Sequence, residues 1–148
     1  MRVATADLGT LAGVVAMVDG GFDPLHPGHV AYFREAAALG APVLCNISSD
    51  AWVGAKHPVL LKQDERAEII DAIRWIEYVH LSQTTTEDVL RALRPRFYVK
   101  GADWRDRLPA EQVAICSEAG TEIVYLDTVL DSSSALVRRW GESVRRQA

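Results

Sequence analysis

His26 and His29 flank Pro27-Gly28 in the segment Gly20-Gly21-Phe22-Asp23-Pro24-Leu25-His26-Pro27-Gly28-His29. An apolar run precedes this segment and a helical pattern follows it, which places both imidazoles at a strand-to-helix turn. In a parallel α/β sheet such turns hold the ligand. Glycines there let an anion approach the backbone closely. The helix beyond the turn offers free N–H groups and the positive end of its dipole. Two imidazoles in that setting can stabilise charge on a phosphoryl group. Zinc is the other ligand of closely spaced histidines, but no Cys or carboxylate at a usual distance completes a set.

The elements that must position this pair alternate along the chain. Apolar runs predict strands over Val14–Val18, Pro42–Ile47, Tyr78–Leu81, Phe97–Val99 and Ile123–Leu126. Runs this continuous suit strands covered on both faces. Helical periodicity is read over His29–Leu39, Gln63–Trp75, Glu87–Leu93 and Pro109–Ala119, with a last helix opened by Ser132, Ser133 and Ser134. Gly40 and Gly120 suit helix C-termini and Thr84–Thr86 an N-cap. In Gln63–Trp75, Ile69, Ile70 and Ile73 form the apolar stripe, and Asp64, Glu65, Arg66 and Glu68 face water. The tail Glu142–Ala148 is charged and is expected to fray. Strands and helices in this alternation predict a single Rossmann-like α/β domain over residues 1–148, a five-stranded parallel sheet with helices on both faces.

All strand C-termini of such a sheet share one edge, and four polar groups meet there. Strand one delivers Asp23, His26 and His29. Strand two delivers Asp50 and the irregular stretch Ser48–Lys62, with Lys56 and Lys62. Strand four delivers Lys100, Gly101, Asp103 and Trp104, and strand five leads to Asp131 and the serines. A long loop in a small domain is often a substrate loop. Several of these residues also suit plainer roles. Asp23 is a normal turn residue before a proline, Asp50 can cap the turn after it, and lone lysines are usually solvated. Arg66 and Arg74, eight apart on the expected helix, suit surface ion pairs with Glu65, Glu68 or Glu77. A serine run caps a helix whether or not it binds phosphate.

Bulk properties narrow the classes. The chain has 148 residues, 49% of them hydrophobic, enough for one domain with a real core. A net charge of −4 argues against a general nucleic-acid binder. Cys45 and Cys116 sit in apolar contexts without a CxxC partner and read as buried, reduced thiols of a cytoplasmic protein. No run is long enough to span a membrane, and the N-terminus lacks the pattern of a signal peptide.

With these residues in place, the chain resembles a known family. Gly21-Phe22-Asp23 through His26-Pro27-Gly28-His29 resembles the HxGH signature of the cytidylyltransferase-like nucleotidyltransferases. Ser132-Ser133-Ser134 stands where that family carries a Ser/Thr run opening its last helix. The resemblance extends to Ser49-Asp50, Glu65-Arg66, Arg74–Val79 and Val99-Lys100-Gly101-Ala102-Asp103-Trp104. This last run resembles the nucleotidyltransferase domain of bacterial ADP-heptose synthases, which activate a heptose 1-phosphate with ATP. The glycerol-3-phosphate cytidylyltransferases usually carry Arg-Thr-Glu-Gly-Ile before their Ser/Thr run, whereas this chain reads Asp127-Thr128-Val129-Leu130-Asp131.

The resemblance implies transfer of a nucleotidyl group, from ATP or alternatively CTP, to a small phosphorylated sugar or polyol, with pyrophosphate released. It implies catalytic roles for His26, His29, Lys56 and Arg66. Gly21, Phe22, Asp23, Gly28, Lys100, Gly101, Asp103 and Ser132–Ser134 would line the nucleotide, and Asp50, Lys62 and Arg74 the acceptor. A Mg2+ ion supported by Asp23 and a homodimer are part of the same expectation. The rival class is a nucleotide-binding module without catalysis, which the intact histidine pair disfavours. A stand-alone domain, with no further unit fused to it, is expected.

Overall fold

The computed structural model describes residues 1–127 and 133–148. Its centre is a parallel sheet of β1 (Ala16–Gly20), β2 (Val43–Ile47), β3 (Tyr78–Leu81), β4 (Phe97–Gly101) and β5 (Glu122–Leu126) in the order β3-β2-β1-β4-β5. The β1–β2 register runs from Ala16↔Val43 to Gly20↔Ile47, and β4–β5 from Phe97↔Glu122 to Gly101↔Leu126. The strand order reverses direction between β1 and β4, and a crevice opens at such a point beyond the strand C-termini. The expected five-stranded parallel sheet is therefore present.

Alternate residues of each strand point to opposite faces, and both faces are covered. Val18, Cys45 and Val79 pack against Phe33 of α1 (Pro27–Ala37) and Ile70 of α3 (Gln63–Asp71). Met17, Leu44 and Tyr98 pack against Val89, Leu90 and Leu93 of α4 (Thr86–Leu93), Ile115 of α5 (Ala110–Ala119) and Leu8 of a 3₁₀ helix over Thr5–Leu11. Each large side chain fully buried here contributes about 1.5–3 kcal/mol of transfer free energy. The Tyr32 hydroxyl donates to the Val99 carbonyl and ties α1 to β4. Cys45 and Cys116 are buried and unbridged on opposite faces. Burial pushes the Cys116 thiol up to about 11, and the Cys45 thiol is also raised.

Several boundaries differ from expectation for physical reasons. β1 starts two residues later, because Leu8 and Leu11 belong to the 3₁₀ helix and Gly13 (φ 71°) turns the chain into the strand. The strand then runs on through Asp19 and Gly20, paired to β2. The stretch expected to be irregular contains α2 (Asp50–Gly54), whose Trp52 N–H donates to the Ser49 hydroxyl. α3 stops at Asp71, and tighter turns (Ile73 N–H to Ile70 O, Ile76 N–H to Ile73 O) follow it. The tail expected to fray is helical, since α6 spans Ser133–Gln147. Among the described residues, no helix is long and apolar enough to cross a membrane.

Candidate active site

The C-terminal edge of β1, β2 and β4 opens into a cleft of about 580 Å³. Its floor is the turn after β1. A Cβ on Gly20 would stand 3.1 Å from the Phe22 ring, and one on Gly21 3.0 Å from Val53 Cγ2, so a side chain at either position would press on its neighbour. Phe22 adopts φ 53°, a conformation costing about 1–3 kcal/mol in a non-glycine residue. Its ring is buried against Phe33 (centroids 5.2 Å apart), which offsets that cost. The same ring meets His29 edge-on at 4.9 Å.

The two histidines cap α1 reciprocally. His26 is the N-cap, and its Nδ1 accepts the Gly28 N–H at 3.1 Å. His29 Nδ1 accepts the His26 N–H at 3.3 Å. A ring nitrogen that accepts carries no proton, so each neutral imidazole holds its hydrogen on Nε2 as a donor. The rings stack at 3.8 Å. Burial, and next the neighbouring His26, lower the His29 pKa from 6.5 to about 3. The cleft therefore presents a neutral N–H donor at His29, held in one tautomer by the backbone.

That depression has a stability consequence. Near pH 6.5 the unfolded chain protonates His29 while the folded chain does not, so stability is complete above that pH and falls as pH drops toward 3. His80, also lowered by burial, acts in the same direction. Melting temperature should fall between about pH 6.5 and 5, before the carboxylates titrate. His29→Asn, whose Oδ1 can replace Nδ1 as acceptor, should flatten that slope in thermal scans. An unchanged slope would contradict the assignment.

Two lysines share the cleft with His29, whereas His26 is not part of its lining. Lys100 is largely buried, and its Nζ donates to Asp19 Oδ1 at 2.9 Å and stands 4.3 Å from the centre of the Trp104 ring. Lys56, on the segment after α2, lies 3.7 Å over the Trp52 ring. Burial, and next the Lys100 charge, lower its pKa, and the Asp19 carboxylate partly opposes them. A dianionic phosphate between these lysines would relieve that repulsion. Ser134 lines the cleft, and Ser133 donates to the Pro24 carbonyl at 2.9 Å, which fixes the start of α6 beside the histidine turn. Ser132 and Asp131 lie outside the described residues.

Other expected site residues take different places. Arg66 is 1% exposed and faces inward, not toward water. Its guanidinium donates to the carbonyls of Leu61, Gly21 and Ser48 and to Asp50 Oδ1 at 2.7 Å. Arg66 is thus a clamp on the cleft's backbone, and the partly exposed Asp50 is its ion-pair partner. Asp23 is 1% exposed, and its oxygens accept the Leu60 and Leu61 N–H groups at 2.8 and 2.9 Å. Asp23 nevertheless lines the cleft, and two amide bonds leave lone pairs on its carboxylate, enough to support a magnesium ion arriving with phosphates.

Lys62 is exposed at the N-cap of α3 and away from the cleft lining. Arg74 lies beyond α3, no longer in register with Arg66, and faces Trp75 at 5.9 Å. Asp103 is exposed, and its carboxylate folds over Gly101, where a Cβ would stand 2.5 Å from Oδ1. The lining passes from Lys100 to Trp104 without Gly101 or Asp103. Gly28 is buried and serves the cap of α1.

Sequence reasoning missed a polar network on the opposite wall. The buried Tyr98 hydroxyl donates to Gln112 Oε1 at 2.9 Å, and Gln112 Nε2 donates to Glu87 Oε1 at 2.9 Å. Thr86 Oγ1 approaches Asp19 Oδ2 at 3.3 Å. Asn46 also lines the cleft, its Oδ1 held by His80 Nδ1 at 2.8 Å. Asp19 was the available signal, a carboxylate that interrupts the apolar run of β1.

Comparison with known proteins agrees with this geometry. A family model described as Cytidylyltransferase-like matches residues 17–139. The protein named "Bifunctional protein HldE" of Trichlorobacter lovleyi is 39% identical over 95 residues, covering 61% of this chain and 19% of its own. That of Azorhizobium caulinodans is 36% identical over 132 residues, covering 84% of this chain and 27% of its own. The chain thus spans about a fifth to a quarter of the length of these curated relatives. The crystal structure of a lipopolysaccharide core biosynthesis protein from Thermoplasma volcanium shares the fold, with TM-score 0.67 at 18% identity over 79% of this chain and 98% of that one. With 17–139 matched and the histidine turn at the mouth of the sheet, the chain belongs to the cytidylyltransferase-like family of nucleotidyltransferases.

Proposed function

We propose that this protein transfers a nucleoside monophosphate from ATP to the phosphate of a sugar 1-phosphate such as heptose 1-phosphate, releasing pyrophosphate. An acceptor phosphate oxygen attacks the α-phosphorus, the bond from that phosphorus to the β-bridging oxygen breaks, and pyrophosphate leaves with the bonding pair. The observation that carries this reading is the His26/His29 cap, which keeps an Nε2–H donor fixed on a cleft that also holds Lys56 and Lys100. Negative charge grows on the α-phosphoryl oxygens and the leaving group, so a fixed donor that needs no reorganisation acts mainly on the transition state. Lys100, kept in place by Asp19, and Lys56 hold phosphate oxygens and supply positioning. A magnesium ion would be supported by Asp23 and would offset the charge of the phosphates.

The choice of ATP and a heptose rests on the run Val99–Trp104 and on relatives that carry the name HldE. A pyrophosphate-release screen of ATP, CTP, GTP and UTP against sugar 1-phosphates and glycerol 3-phosphate tests it. ATP with heptose 1-phosphate is expected to give the fastest release. Release confined to CTP with glycerol 3-phosphate would transfer the protein to the cytidylyltransferase reading, and nucleotide binding without release from any pair would overturn catalysis.

A further inference from the structure

The cleft has two chemically different walls. His29, Lys56, Lys100 and Ser134 suit a polyphosphate. The wall built from the ends of β2 and β3 and the starts of α4 and α5 carries Asn46, Ser82, Thr86, Glu87 and Gln112. A phosphate is disfavoured beside the Glu87 carboxylate, whose hydrogen-bond partner is the neutral Gln112 amide. Hydroxyls are favoured, since they both donate to carboxylates and accept from amides and other hydroxyls.

Gln112 fixes one oxygen of Glu87 on that wall. Gln112 cannot swing freely: its Oε1 takes the Tyr98 hydroxyl proton and its Nε2 donates to Glu87 Oε1. Glu87 is half-buried, and among the described residues no protein donor reaches its Oε2. We infer that Glu87, oriented by Gln112, receives hydroxyls of the sugar part of the acceptor and so selects polyhydroxylated acceptors over short ones. This rests on the transferase reading, and it names the part of the acceptor that the phosphate wall cannot recognise. A ribose also offers two hydroxyls, and KM for ATP distinguishes it from the acceptor.

The test is Glu87→Gln, which keeps an oxygen for Gln112 and the fold while removing the carboxylate. Losing a charged hydrogen bond should weaken a heptose 1-phosphate by about 10–100-fold. Two readouts are needed. In turnover, KM for heptose 1-phosphate should rise by that factor, while KM for ATP, kcat and KM for glycerol 3-phosphate stay within about twofold. In direct titration followed by tryptophan fluorescence, the same weakening should appear without turnover, so the assignment stands or falls even if the transferase reading fails. A rise in KM for ATP instead would place Glu87 on the ribose. Equal weakening of both acceptors, no weakening, or no binding of heptose 1-phosphate to the unsubstituted protein would overturn the inference.

Discussion

His29→Ala lowers kcat by about 10²–10³-fold, the loss expected on removing one fixed donor to a developing oxyanion. Three observations support a large effect. The ring is locked by its own Nδ1 bond to the His26 amide. It is wedged between the stacked His26 ring and the edge of Phe22. With its pKa lowered to about 3, it remains a neutral donor throughout the physiological range. Alanine also removes the cap, so the sharper comparison is between amides. His29→Asn places an oxygen where Nδ1 stood and preserves the cap, but has nothing at the Nε2 position. His29→Gln puts an N–H donor close to the Nε2 position and loses the cap. Asparagine should therefore fold well and turn over as poorly as alanine, and glutamine should recover part of the rate. Circular dichroism melts beside steady-state kinetics check both, and an asparagine variant with near-normal turnover would remove His29 from the chemistry.

Arg66→Ala destabilises the fold by about 3 kcal/mol, the lower end of the loss on breaking a buried ion pair, since Asp50 remains partly exposed. For a chain of this size that corresponds to roughly 6–12 °C in Tm. The guanidinium joins the turn after β1 (Gly21), the end of β2 (Ser48), the loop before α3 (Leu61) and Asp50 of α2. Alanine would leave these carbonyls without their donor and would loosen the floor of the cleft. Arg66→Lys should recover little, because one ammonium cannot reproduce a planar fork with donors on several sides. Urea unfolding measures the loss. A variant of near-native stability that had lost only affinity for phosphate would return Arg66 to the substrate.

These two residues show how far the sequence could be read. The histidine cap was legible because its chemistry is local: a Gly-rich turn, two imidazoles three apart and a helix start lie within ten residues. The sheet was legible because strands covered on both faces read as continuous apolar runs. Arg66 was not legible. Helical periodicity placed it with Asp64, Glu65 and Glu68 on a wet face, but burial was decided by carbonyls at Gly21 and Ser48, which approach only after the chain has folded. The backbone role of Asp23 was hidden for a related reason. A carboxylate near a phosphate turn suggests magnesium, and Leu60 and Leu61, which donate to its oxygens, return from far along the chain. The wall of Glu87 and Gln112 was missed because its members come from α4 and α5, 25 positions apart, and carry no motif.

The central claim is nucleotidyl transfer at this cleft, and phosphorus NMR of the reaction tests it most directly. With ATP and a sugar 1-phosphate, the spectrum should gain the coupled resonances of a sugar–nucleoside diphosphate together with pyrophosphate in equal amount, and both should nearly vanish with His29→Asn. ADP with inorganic phosphate, or product formation undiminished in His29→Asn, would contradict it.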